Sequence, residues 1–337
     1  MAPRAGESPA GSKRDGVVLL VSALVVLGGA AAARSLPASA PASSAVTTGP
    51  GLPPPLPSGA PVRGLEELPT DDERAAGCHF ADRGFGDYGG WRKVPMGRAL
   101  VPVGHGVDEN GGFRLLVHFH GAEPVRKQLA PEGLGLVIAA VDAGVGSRAY
   151  ERVVAEPDSF DKMVSAIEAE VAATNGLPSA RARVIVLSSW SAGYGAVTQI
   201  LARRTPRIGA VVLLDSLYAG YANGGRTVEH GQLPAFVEAA RNARAGGAPF
   251  YLTHTAIATP GYASTAEVAS FLLGELGATA TNIEDSGAAE RFPLRRMFEE
   301  GHLWIRGYAG ADRDAHCAQL HQLATVLRDA VLPSLHD

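Results

Sequence analysis

Ser191 stands in the run Val184-Ile-Val-Leu-Ser-Ser-Trp-Ser-Ala-Gly-Tyr-Gly-Ala196, an apolar stretch that gives way to small and hydroxyl-bearing residues. A serine hydroxyl is a poor nucleophile unless it is held exposed beside a base. A strand that breaks at a tight turn and re-enters as a helix provides that setting, and the crowded turn demands small neighbours. The usual spacing is Gly-x-Ser-x-Gly. Here it reads Ser189-Trp190-Ser191-Ala192-Gly193, with serine at the first glycine position. The plainer alternative is a strand-to-helix turn with Ser191 as its N-cap.

His118-Phe119-His120-Gly121-Ala122 closes an earlier apolar run. Attack of a serine on a carbonyl makes a tetrahedral oxyanion, which needs two backbone N–H donors aimed at it. Ala192, after the nucleophile, supplies one in this reading. Ala122, after His120-Gly121, supplies the other, and Gly121 lets that backbone come close to the substrate. His118 and His120 could equally be core or rim histidines. Two histidines at i and i+2 could bind a metal, but no third ligand stands nearby, so no metal or other cofactor is assigned.

Phe119-His120-Gly121 and Ser189-Trp190-Ser191-Ala192-Gly193 resemble the oxyanion-loop and nucleophile-elbow motifs of the α/β-hydrolase superfamily. The resemblance extends in order and spacing over about residues 110–337. It implies a serine hydrolase with chain order Ser, then Asp or Glu, then His, the last two on later strand-end loops. His316, in Tyr308-Ala-Gly-Ala-Asp-Arg-Asp-Ala-His316, occupies the place of the base. A helix N-terminus beside it would disfavour the imidazolium, so a carboxylate partner is required. His254 is the main rival; His302 precedes the last strand and His321 lies inside the last helix. Asp215, at the end of Val211-Val-Leu-Leu214, is the preferred acid, with Glu284, Asp285, Asp312 and Asp314 as fallbacks. Trp190, Tyr218 and Tyr262, with His120 and Gly121, are read as lining the substrate site. For Trp190, core packing is an equal reading. Ser216–Gly247, with a helix after Pro234, is read as a small lid.

These residues need strand ends to stand on. Leu115–Phe119, Leu136–Val141, Val184–Leu187, Ala210–Leu214, Pro249–Thr253 and Leu303–Arg306 are short and nearly all apolar, as strands buried on both faces are. Helical patterns alternate with them. One starts at Asp158, one at the Ser264/Glu267 capping box, and one runs from Cys317 through Leu320, Leu323 and Leu327 to Val331. Alternation of this kind predicts an α/β fold: a mostly parallel sheet flanked by helices in three layers, with ligands at the carboxyl ends of the strands.

Upstream, Arg4, Lys13 and Arg14 precede an apolar run from about Gly16 to Ala33. That is the pattern of a secretory signal peptide, and an uncleaved signal anchor is the alternative. Either places the rest of the chain outside the cytoplasm: periplasmic, cell-envelope or secreted, touching a membrane only through this segment. Residues 34–64 are rich in Pro, Ala, Ser and Gly and read as a linker, leaving residues 65–337 as the catalytic domain. In an exported chain, the only two cysteines, Cys78 and Cys317, are expected to pair; two buried thiols are the alternative. A net charge of −4 gives no reason to expect a nucleic-acid partner. The expectation is an exported carboxylic ester hydrolase acting on a small-molecule or polymer ester. An amidase or peptidase of the same fold is second, and a non-catalytic envelope binding protein of this fold third. Nothing in the sequence specifies an oligomeric state.

Overall fold

The structure, a computed structural model, describes residues 78–284 and 291–335. The expected leader (1–33), the linker (34–64) and the fallback carboxylate Asp285 lie outside these residues. The described chain contributes ten strands to a single sheet in the order β1-β2-β4-β3-β5-β6-β7-β10-β9-β8. They are β1 (Arg92–Val94), β2 (Gly97–Leu100), β3 (Gly112–Phe119), β4 (Leu136–Val141), β5 (Arg181–Trp190), β6 (Ile208–Leu214), β7 (Phe250–His254), β8 (Thr281–Asn282), β9 (Leu294–Glu300) and β10 (Leu303–Tyr308). From β4 to β10 the neighbours are parallel, and β1, β2, β9 and β8 are antiparallel additions at the edges.

Each central strand is buried on both faces, because alternate side chains feed two separate cores. Leu115, Val117 and Phe119 of β3 point into one core, which also takes apolar faces of α3 (Ser159–Asn175), α4 (Tyr194–Ala202), α5 (Pro234–Arg244) and α6 (Thr265–Glu275). Leu116 points into the other, with α1 (Ala122–Leu129), α7 (Arg313–Leu320) and α8 (Leu323–Val326). A short α2 (Ser147–Val153) follows β4. This is the expected three-layer α/β fold, a mostly parallel sheet between two layers of helices. β4 and β5 leave β3 in opposite directions, so the carboxyl ends of β3 and β5 meet at a topological switch point, where open α/β sheets bind ligands.

The six expected strands are all present. The edge strands were not expected, because β1, β8 and β9 are short or largely exposed and carry no apolar run. The capping box at Ser264 and Glu267 forms in full. Asp158, by contrast, does not cap α3 with its side chain; its carboxylate pairs with Lys162 at 2.7 Å. The expected single helix 317–331 is broken. α7 starts earlier, at Arg313, with Asp312 as its cap, and after α8 the chain slips into a wider turn over Leu327–Val331. Leu320, Leu323, Leu327 and Val331 are nonetheless all buried in one core. Their spacing reports which face is buried and is blind to a slip in backbone hydrogen bonding. Cys78 and Cys317 form a disulfide that ties the first described residue to the middle of α7. Among the described residues, no helix is long and apolar enough to cross a membrane.

Candidate active site

β5 ends at Trp190 in extended backbone (φ −118°, ψ 144°), and Ser191 then takes φ +51° before the chain turns into α4. Left-handed backbone is costly for a non-glycine residue and persists only where the surroundings hold it. Two features hold it here. A Cβ on Gly193 would lie 2.1 Å from the Phe119 carbonyl oxygen, so only glycine lets the turn after β5 pack this closely on the end of β3. Beneath the turn, the buried Ser189 hydroxyl meets Ser216 Oγ at 2.8 Å, and Ser216 donates to the Ser191 carbonyl, also at 2.8 Å. The serine that departs from the usual glycine therefore lies inside, hydrogen-bonded, as part of the support of the turn.

Asp215 follows β6 with φ +42°, its side chain buried. One carboxylate oxygen accepts from Thr255 N (2.9 Å) and Thr265 Oγ1 (2.6 Å). The other accepts from Thr255 Oγ1 (2.9 Å) and His316 Nδ1 (2.6 Å). Burial alone would raise its pKa. The His316 hydrogen bond and charge, with the Thr265 hydroxyl and Thr255 N–H, outweigh burial and hold the carboxyl below the usual carboxylate range. A carboxylate only accepts, so Nδ1 of His316 carries a proton, and the neutral form of the ring would have its lone pair on Nε2. His316 lies in the first turn of α7 rather than ahead of it. Among the described residues no hydrogen bond joins Ser191 to His316; contacts of this kind commonly tighten only on substrate binding. The two residues share Trp190 instead, which is bonded to Ser191, stacks on the His316 ring at 4.6 Å and donates its indole N–H to the His316 carbonyl.

The other candidates are placed elsewhere. His254 is buried on β7, its ring packed over Gly307 of β10. His302 bonds the Gly247 carbonyl and His321 stacks on Phe80. Asp312 caps α7 and Asp314 pairs with Arg291. Glu284 is exposed beyond β8.

On the oxyanion side the expectation needs correction. Ala122 N–H, read as an open donor, is engaged by the Asp142 carboxylate (3.1 and 3.3 Å), as is Gly121 N–H (2.7 Å). The cause is that α1 begins after a glycine, which offers no capping side chain, so a carboxylate from the end of β4 takes that role. Gly121 (φ +98°) is buried against Leu320 and Trp190 rather than facing a ligand. Trp190, 1% exposed, is a packed wall between His316 and His120 and not a pocket surface. His120 is half-buried, with Nδ1 2.5 Å from the Tyr150 hydroxyl. Burial lowers its pKa, and burial pushes that of His118 down to about 3. His118 has both ring nitrogens occupied, by Ser188 Oγ and the His120 carbonyl. Among the described residues, no group of His, Cys, Asp or Glu is placed to hold a metal ion.

Tyr218 and Tyr262 do come together, with ring centroids 5.7 Å apart, and Tyr194 joins Tyr218 at 5.8 Å. The Tyr218 hydroxyl lies 3.4 Å from the Asp215 carbonyl. Sequence reasoning missed Asp142, Ser216, Thr255 and Thr265. Asp142 and Ser216 each stand at or just past the end of a fully apolar strand, and that position was the available signal.

No protein-family model matches the chain, and no curated protein matches it. Among solved structures, it is similar to TT1662 of Thermus thermophilus, with 17% identity and a TM-score of 0.39 over 72% of this chain and 97% of that one. A cold-adapted esterase from an Arctic intertidal metagenomic library is similar at 14% identity and a TM-score of 0.33, covering 72% and 92%. A prolyl endopeptidase is similar at 10% identity and a TM-score of 0.37, covering 73% of this chain and 38% of that one.

Proposed function

We propose that the protein is a serine hydrolase that cleaves carboxylic esters through an acyl-enzyme on Ser191. The observation that carries this is the left-handed Ser191 at the end of β5, one strand from a buried Asp215–His316 pair at 2.6 Å. His316 Nε2 takes the serine proton as Oγ attacks the ester carbonyl, and Asp215 holds the ring and offsets the imidazolium charge. The protonated His316 then delivers its proton to the departing alkoxide, and a water activated by the same nitrogen releases the acid. The oxyanion is met by the Ala192 N–H, at the helix start where backbone donors lack intrahelical partners. Ala122 N–H adds to it only as Asp142 yields its bifurcated hydrogen bond. One missing donor costs roughly 10²–10³-fold in acyl transfer. That deficit weighs most on amides, whose leaving groups need the most help, and so esters are favoured over peptide bonds. A disulfide persists in an oxidising compartment, which agrees with export.

A fluorophosphonate probe tests the assignment. We expect one adduct, on Ser191, and none in a folded Ser191→Ala protein. A wild-type protein that is folded but unlabelled would remove the hydrolase reading and leave the non-catalytic one. N-terminal sequencing of protein recovered outside the cell tests export and distinguishes cleavage from anchoring.

A further inference from the structure

Asp215 and Ser216 are consecutive, and each holds a different part of the proposed site. The Asp215 carboxylate takes the His316 Nδ1–H at 2.6 Å, and the Ser216 hydroxyl donates to the Ser191 carbonyl at 2.8 Å. The way these two residues are turned therefore sets the base against the nucleophile. The backbone there is not relaxed. Asp215 has φ +42° and the buried Leu217 has φ +111°. Such conformations persist in non-glycine residues only where the surroundings hold them.

Three buried threonines hold this segment, and all come from outside β6. Thr253 lies in β7, Thr255 follows its end, and Thr265 opens α6. Thr253 Oγ1 accepts the Asp215 N–H at 2.9 Å. Thr255 grips both carboxylate oxygens, one with its N–H and the other with its hydroxyl, each at 2.9 Å. Thr265 Oγ1 donates at 2.6 Å to the oxygen that Thr255 N–H also reaches. Two carboxylate oxygens offer about four acceptor sites. His316 fills one and the threonines fill the rest, so turning the carboxyl plane would break all of the threonine contacts together. The mounting of Thr265 is itself secured. The Ser264/Glu267 capping box fixes the start of α6, Tyr221 donates to Glu267 at 2.9 Å, and Ala263 pairs with Ala219 just beyond Asp215. Any donors would satisfy a buried charge; donors on two separate elements also give it a direction.

We propose that Thr255 and Thr265 are positioning residues of the hydrolysis: their hydroxyls set the rotation of the Asp215 carboxylate, and through it the direction of the His316 ring. The inference rests on the esterase reading above. Neither hydroxyl gives or takes a proton in the reaction; both act through Asp215.

The test is a double-mutant cycle in the full chain, read as kcat on 4-nitrophenyl acetate and as the rate of fluorophosphonate labelling at Ser191. Thr255→Val and Thr265→Val should each slow both by about tenfold, the scale of one hydrogen bond to a charged group, with KM little moved. Thr255→Ser and Thr265→Ser return the hydroxyl and should restore both rates. In an Asp215→Asn background, Thr265→Val should cost less than about twofold more, because residues that act as a unit are not additive. Thr265→Ala takes the place of Thr265→Val should the latter not fold.

Stability gives a readout that needs no turnover. Burial raises the Asp215 pKa, but His316 and then the Thr265 hydroxyl bring it below the usual carboxylate range. That contribution to stability is present above the ordinary value and lost as pH falls through the folded one. The urea midpoint of Thr265→Val should therefore lie below that of the wild type at pH 6, and the gap should close towards pH 2. Among the described residues, the ionisable groups that act on Asp215 are His316 on α7, His254 on β7 and Tyr218 beyond β6. Thr265→Val keeps all three, so a closing gap belongs to the lost donor. A gap that is constant with pH, or additive losses in the cycle, overturns the positioning role and leaves the esterase intact. A folded wild type that takes no label overturns the esterase reading, and this proposal with it.

Discussion

Asp215 and Asp142 both follow central strands, and they are used in opposite ways. Asp215 is buried behind His316, and its carboxylate accepts two threonine hydroxyls, one backbone N–H and the His316 ring. Asp142 is partly exposed, lies 3.7 Å from Arg98, and turns its carboxylate to the backbone of the loop that should receive the oxyanion. Under the proposed function, the acid and base are therefore held to each other before substrate arrives. The loop proposed to meet the oxyanion has its Gly121 and Ala122 N–H groups taken by an internal carboxylate. Preorganisation in such a site lies in dipoles that need not reorient during reaction, and only one half meets that condition at rest.

Breaking the fixed half should have the largest effect. Asp215→Asn can present an amide N–H to His316 Nδ1 and so stabilise the wrong tautomer, and kcat on 4-nitrophenyl acetate should fall by roughly 10⁴-fold. Loss of activity below tenfold would mean that Asp215 does not orient the base. The same substitution tests linkage. Asp215 has a lower pKa folded than its ordinary value of about 3.9. It therefore contributes stability above the ordinary value, and that contribution disappears as pH falls through the folded one. Urea midpoints measured from pH 6 down to pH 2 should drop less steeply in Asp215→Asn than in the wild type.

The disulfide sharpens the comparison by acting on the fixed half from outside. It closes a separation of 239 residues and fastens the helix that carries His316. Removing a native disulfide typically costs about 2–5 kcal/mol. Cys78→Ser with Cys317→Ser should lower the urea midpoint accordingly and depress kcat more than it raises KM, because the proposed base loses its tether. Unchanged kcat would show that Asp215 and Trp190 hold His316 without help.

How much of this was legible in the sequence follows the physics of each part. Strands buried on both faces announce themselves as apolar runs, so β3 to β7 and β10 were read within a few residues. Ser191, Asp215 and His316 were read because strand ends and chain order locate them, and the structure places Asp215 beside His316. Edge strands such as β9 bury little and left no pattern. The Asp142–Ala122 contact was invisible for a different reason. It joins residues 20 apart through a side chain and a backbone donor, and neither composition nor periodicity encodes it. Trp190 shows the same limit: its place beside the nucleophile was clear, but whether it faced core or ligand depended on α7 closing over it.

Two smaller changes separate support from chemistry. Ser216→Ala removes the donor to the Ser191 carbonyl and leaves Ser189 Oγ buried without that partner. An unpaired buried group of this kind costs about 1–3 kcal/mol. A fall in kcat of about tenfold should accompany the loss, with KM little moved, and Ser216→Thr should restore kcat because it returns the hydroxyl.

Asp142→Ala should be the mildest in stability and the most informative about the closed half. It removes the cap of α1, and a lost cap costs about 1 kcal/mol. It also withdraws a negative charge from the place where the oxyanion forms and frees the Ala122 N–H. The two effects oppose each other only if Asp142 acts as a cap. In that case the urea midpoint falls slightly while kcat on 4-nitrophenyl acetate holds or rises. Asp142→Asn should lie between, since the amide oxygen still accepts from the loop without the charge. If kcat instead collapsed a hundredfold in Asp142→Ala at unchanged stability, the carboxylate would belong to the chemistry. The contrast between a fixed acid–base half and a closed oxyanion half would then be wrong.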